Sequence, residues 1–93
     1  MSVLSDEDVQ TRLGDLNDGW EKYGNCLRRE FKFDDFSGAV DFVNRLTPIA
    51  NEMNYHPDLF ISWGLVRASL ISHSEHGITD ADFELAKKLD ALA

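Results

Sequence analysis

Two of the three histidines in this chain bracket a short stretch that reads as a β-hairpin. They are His56, within Asn54-Tyr55-His56-Pro57-Asp58, and His73, seventeen residues later. An imidazole changes charge near neutral pH, so it is the default side chain for carrying a proton to or from a reacting group. A hairpin folds back on itself, so its outer ends, and with them these two rings, can face one ligand. Pro57 holds the residue before it in an extended conformation, which gives His56 a defined direction.

Other chemistry is less well supported. His73 and His76 are three apart and could join His56 in a three-histidine metal site, but no carboxylate or cysteine strengthens that arrangement, and no metal is expected. Asp80 and Asp82 read as acids at a helix start rather than as a catalytic pair. Cys26 has no Cys or His at ligand spacing and reads as a half-buried strand residue, not a nucleophile. There is no glycine-rich phosphate loop and no serine nucleophile elbow.

The elements that must position the histidines follow from periodicity. Ser5-Asp6-Glu7-Asp8 starts a helix that buries Val9, Leu13 and Leu16 and stops at Asn17-Asp18-Gly19. Trp20 to Tyr23 and Leu27 to Phe33 read as two strands joined at Gly24-Asn25. On the second strand Leu27, Phe31 and Phe33 share a face with Arg29, opposite Arg28, Glu30 and Lys32. Asp34-Asp35 then caps a long helix whose stripe runs from Phe36 through Phe42, Leu46 and Ala50 to Met53. Pro48 predicts a kink or break near Thr47. Leu59 to Trp63 and Val66 to Ser72 form a second hairpin turning at Gly64, with His73 at the end of the fourth strand. A loop from Ser74 to Ile78 leads to a capped helix start at Thr79 and a stripe of Phe83, Ala86 and Leu89. The order α-β-β-α-β-β-α predicts an α+β domain, a four-stranded antiparallel sheet with helices packed on one face.

The 93 residues fit one domain, spanning 1–93, with enough apolar side chain (43%) to form a core. A net charge of −8 opposes direct contact with nucleic acid or an anionic membrane. Arg28, Arg29 and Lys32 are interrupted by Glu30 and read as a solvated strand edge rather than a phosphate-binding patch. The acidic N-terminal stretch predicts neither a secretory signal nor a transit peptide, and no segment approaches the length of a membrane span. A single cysteine cannot form an internal disulfide, and a cytoplasmic protein is expected.

Taken together, these residues resemble the pterin-4a-carbinolamine dehydratase family over nearly the whole chain. The resemblance rests on Gly19-Trp20, Phe31-Lys32-Phe33 with Asp35-Phe36, and the run from Ala50 to His73. His56-Pro57-Asp58, Trp63, Ser72-His73, Gly77 and Asp82 follow the family's order and spacing. It implies the same α+β fold, assembly as a homodimer or homotetramer, and dehydration of a 4a-hydroxytetrahydropterin to a quinonoid dihydropterin without metal or organic cofactor. This reaction recycles the pterin of aromatic amino-acid hydroxylases. By the same resemblance His56 and His73 are the catalytic histidines, and Asn54, Tyr55, Ile71 and Ser72 line the pterin pocket.

Two positions depart from the family pattern. Tyr55 stands where the family usually has the first of two consecutive histidines, and Asn51 where it usually has an acid. Glu52 lies beside Asn51, but one residue along a helix rotates a side chain by about 100°. A phenol of ordinary pKa, about 10, is a poorer shuttle at neutral pH than an imidazole. His76 is the one other imidazole that could compensate. An alternative therefore stands beside the dehydratase: a member with impaired catalysis that acts as a protein-binding or assembly factor. The resemblance implies such roles too, since relatives partner a homeodomain transcription factor or assist Rubisco assembly.

Overall fold

A computed structural model describes residues 3–93; Met1 and Ser2, at the start of the acidic stretch, lie outside the described residues. The element order is α1 (Asp6–Leu13), β1 (Glu21–Tyr23), β2 (Cys26–Lys32), α2 (Phe36–Met53), β3 (Asp58–Ser62), β4 (Leu65–Leu70) and α3 (Asp80–Leu92), with a single 3₁₀ turn at His73–Glu75 before α3. The four strands form one antiparallel sheet in the order β1-β2-β4-β3. The α+β architecture expected from the periodicity is the one observed.

The sheet is sided because β2 and β4 alternate. Leu27 and Phe31 of β2 and Val66, Ala68 and Leu70 of β4 are buried, as are Phe42, Leu46 and Ala50 of α2 and Phe83, Leu85, Ala86 and Leu89 of α3. Phe42 packs on Phe31 and Phe33 with ring centroids 4.8 and 5.3 Å apart. Rings at this separation contribute beyond their buried area, about 0.5–1.5 kcal/mol per pair.

β2 lies between β1 and β4, but β1 pairs only with Cys26, Leu27 and Arg28, so of the expected strand edge Arg28 is flanked and exposed Lys32 keeps an unpaired outer side. Arg29 points into the helix layer. Its guanidinium pairs with Asp90 of α3 at 2.5 Å and lies over the Phe31 ring. Asp90 also accepts from Trp20 Nε1 at 2.7 Å and from the Asn17 backbone at 3.0 Å. One carboxylate therefore joins β2, α3 and the segment after α1. The sequence placed Arg29 on the apolar face, but its partner lies 61 residues away.

α2 runs without a break through Pro48. Pro48, Asn44 and Thr47 all face outward, so water can take the carbonyl that proline cannot satisfy, while Leu46 and Ala50 stay buried. Burial of the stripe outweighs one lost hydrogen bond. At the β3–β4 turn a Cβ on Gly64 would meet the Phe33 carbonyl oxygen at 2.8 Å, which only glycine avoids. Gly64 in turn accepts a hydrogen bond from Phe33 N.

Asp90→Ala should strand the Arg29 guanidinium in the helix layer and lower stability by about 3 kcal/mol, the scale for breaking a buried ion pair. Urea denaturation checks this; an unchanged midpoint would mean that the Asp90 contacts do not hold the layers together.

Candidate active site

α2 ends in a way that aims the site. Asn54 adopts the left-handed conformation (φ 52°, ψ 40°), Asn54 N donates to Asn51 O at 3.1 Å and Tyr55 N to Ala50 O at 2.9 Å. This is a Schellman stop, and asparagine is one of the few non-glycine residues that tolerates it. The chain reverses there and delivers Tyr55 and His56 in opposite senses. Tyr55 turns inward, half-buried, and its hydroxyl donates to Asp82 of α3. His56 stays exposed, and its Nε2 lies 3.0 Å from Asn51 Oδ1 on the last turn of α2. An amide oxygen only accepts, so in this hydrogen bond Nε2 is the donor.

The hairpin supplies the second histidine. β3 and β4 pair from Asp58↔Ser69 to Ser62↔Leu65, so the start of β3 lies beside the end of β4. The fourth strand stops at Leu70, earlier than expected, and His73 opens the 3₁₀ turn instead of ending the strand. An isolated bridge between Ser72 and Gly77 closes that turn. His73 Nε2 lies 3.5 Å from Asp58 Oδ2, both side chains well exposed.

A cavity of about 330 Å³ opens between these segments. It falls at the lower end of the range for small-molecule sites, about 300–1,000 Å³. Its lining includes Asn54, Tyr55, His56, Ile71, Ser72 and His73, all six positions singled out from the sequence. Met53, Ser74, Glu75 and Ala81 complete it. The helix stop places Met53 there, the 3₁₀ turn Ser74 and Glu75, and the first turn of α3 Ala81. His76 sits at the left-handed end of the turn (φ 58°) and is not part of the lining. Among the described residues no group of three or more His, Cys, Asp or Glu side chains is placed to hold a metal ion, so the three-histidine arrangement does not form.

Behind the cavity Asp82 is fully buried. It occupies the third position of α3 and closes a capping box with Thr79, accepting from Thr79 N at 2.7 Å. It also accepts from Ser72 Oγ at 3.1 Å, and Ser72 Oγ lies 2.8 Å from Thr79 Oγ1. Burial, and then the hydrogen bond to the Asp82 carboxylate, push the Tyr55 phenol far above its ordinary value. Tyr55 is a fixed, protonated donor and not a proton carrier. Burial also pushes the Cys26 thiol up, away from nucleophile chemistry.

Comparison with known proteins agrees with this arrangement. The family described as pterin 4 alpha carbinolamine dehydratase matches residues 2–92. The chain belongs to that family. A relative from Sulfolobus acidocaldarius, whose name places it among the pterin-4-alpha-carbinolamine dehydratases, is 43% identical over 96% of this chain and 97% of its own length. A relative of the same name from Mycobacterium tuberculosis is 44% identical over 99% and 97%. A solved structure described as a transcriptional coactivator/pterin dehydratase from Brucella melitensis superposes with a TM-score of 0.93 at 34% identity, covering 99% of both chains. A pterin dehydratase-like protein described as a RuBisCO assembly factor of the alpha-carboxysome shares the fold, with a TM-score of 0.70 at 23% identity over 81% of this chain and 89% of its own.

The raised Tyr55 value has a consequence at high pH. The fold favours the protonated phenol, so this contribution is complete below the unfolded value near pH 10 and declines as the pH rises above it toward the folded value. Tyrosinate absorbance should contain a component that appears only as the protein unfolds, and Tyr55→Phe should remove it. Reversible titration of both tyrosines in the folded protein would contradict the buried contact.

Proposed function

We propose that this protein dehydrates a 4a-hydroxytetrahydropterin to the quinonoid dihydropterin, with His56 and His73 as the acid-base pair. The observation that carries the reading is the convergence of the two imidazoles on one cavity in a chain of this family. In the reaction the C4a–O bond breaks and the oxygen leaves as water once it has taken a proton. A ring nitrogen supplies the electron pair for the new C=N bond and gives up its own proton. One group must donate and one accept, and two imidazoles can do both at neutral pH. Asn51 fixes the His56 ring through Nε2, and Asp58 stands beside His73. Tyr55, held protonated by burial and Asp82, takes no part in the transfer. A cytoplasmic setting is part of the proposal, as is recycling of the pterin for an aromatic hydroxylase.

The proposal includes assembly as a homodimer or homotetramer. β3 pairs only with β4, so its outer edge is free among the described residues; Phe60 and Ile61, on opposite faces of β3, and Trp63 just after it are exposed. These exposed apolar side chains favour a second reading, in which catalysis is impaired and the protein acts by binding another protein.

Stopped-flow measurement of 4a-hydroxytetrahydropterin dehydration separates the two. The dehydratase should exceed the rate in buffer, and His73→Ala should lower its kcat by about 10²-fold or more, the scale of a lost general acid or base. A rate equal to buffer for the unaltered protein would support the binding role, and an unchanged His73→Ala rate would remove His73 from the mechanism.

A further inference from the structure

Gly77 stands in the motif pattern of the chain, yet no step of the proposed reaction uses it. Its φ is not positive, so any residue suits the backbone there. Space is what demands glycine. A Cβ on Gly77 would meet Val3 Cγ1 at 2.8 Å and Cγ2 at 3.2 Å, well inside the optimum of about 3.5–4.0 Å for two carbons. The segment before α1 lies against this point. Leu4 N donates to Ile78 O at 2.8 Å, and Ser72 N donates to Gly77 O at 3.1 Å. Three lengths of chain are joined side by side, ending at the residue before His73.

The His73 turn has little else to hold it. Residues His73–Glu75 include no buried side chain. The turn makes two hydrogen bonds of its own, Glu75 N to Ser72 O at 3.0 Å and His76 N to His73 O at 3.2 Å. A short exposed turn opens at little cost unless its ends are fixed. At one end the Ser72 hydroxyl is already bonded. At the other, Gly77 has no side chain to bond, so its backbone contact with Ser72 and the cover of the N-terminal segment do the fixing.

We infer that Val3 and Leu4 are positioning residues for His73, acting through Gly77 and Ile78. The role given to His73 rests on the dehydratase reading above; the contact does not. His56 is fixed from the last turn of α2 by Asn51, so the N-terminal segment bears on one imidazole and not on the other.

The test compares Gly77→Ala with the double variant Val3→Ala/Gly77→Ala. Stopped-flow dehydration gives kcat, and NMR follows the imidazoles, of which the chain has only three. Gly77→Ala should lower kcat by about tenfold, part of what a misplacement of about 1 Å can cost. It should shift the His73 resonances and leave those of His56 in place. Val3→Ala removes the colliding methyl groups, so the double variant should recover most of the kcat and return the His73 resonances. A Gly77→Ala protein with a lower melting temperature but unchanged kcat and His73 resonances overturns the inference, because Gly77 would then serve stability alone. A loss that Val3→Ala does not repair overturns it as well. Should Gly77→Ala fail to fold, Leu4→Pro carries the test by removing the N–H that bonds Ile78: it should lower kcat and shift His73, and no change in either overturns the inference. If the unaltered protein does not dehydrate the pterin, the dehydratase reading falls and the spectra decide the contact alone. A His73 shift that Val3→Ala reverses then upholds it, and no shift overturns it.

Discussion

A carboxylate with no access to water must have its oxygens hydrogen-bonded, and the site is arranged around that requirement at Asp82. Its partners are the N-terminus of α3, the residue after α2 and the residue leading out of β4. Three segments that share no continuous backbone are tied at one point. The cavity lies beside that point because the tie holds its walls. Among the described residues no buried polar side-chain atom lacks a partner, so the network is closed. A closed network of this kind specifies one arrangement, since each alternative leaves a buried group unpaired.

Much of this was legible in the sequence, and the reason is periodicity. The alternation in β2 and β4 and the stripes of α2 and α3 gave the strands, the helices and the sided sheet. The hairpin carried His56 and His73 to one end of the molecule, as its spacing implied. Family resemblance added Asn54, Tyr55, Ile71 and Ser72, and all four line the same cavity as the histidines. What stayed hidden was long-range pairing. Tyr55 and Asp82 are 27 residues apart, Arg29 and Asp90 are 61 apart, and no local pattern marks either contact. Pro48 does not break α2, for a related reason. Its local cost was visible, while the burial of Leu46 and Ala50 that overrides it depends on the rest of the fold.

Tyr55 changes meaning once its partner is known. Beside a histidine it is a weak acid of the wrong strength, and the position reads as a lost function. In the folded chain it is a half-buried donor to Asp82, and the proposed proton transfer does not run through it. In the proposed reaction acid-base work falls to two exposed imidazoles, each with a polar neighbour, Asn51 for His56 and Asp58 for His73.

The most direct measurement of this account is a crystal structure of the protein with a fully oxidised pterin bound. The account predicts the bicyclic ring in the cavity between His56 and His73, with the Tyr55 hydroxyl still donating to Asp82. A pterin bound elsewhere on the molecule, or a Tyr55 hydroxyl turned away from Asp82 onto the ligand, would contradict it.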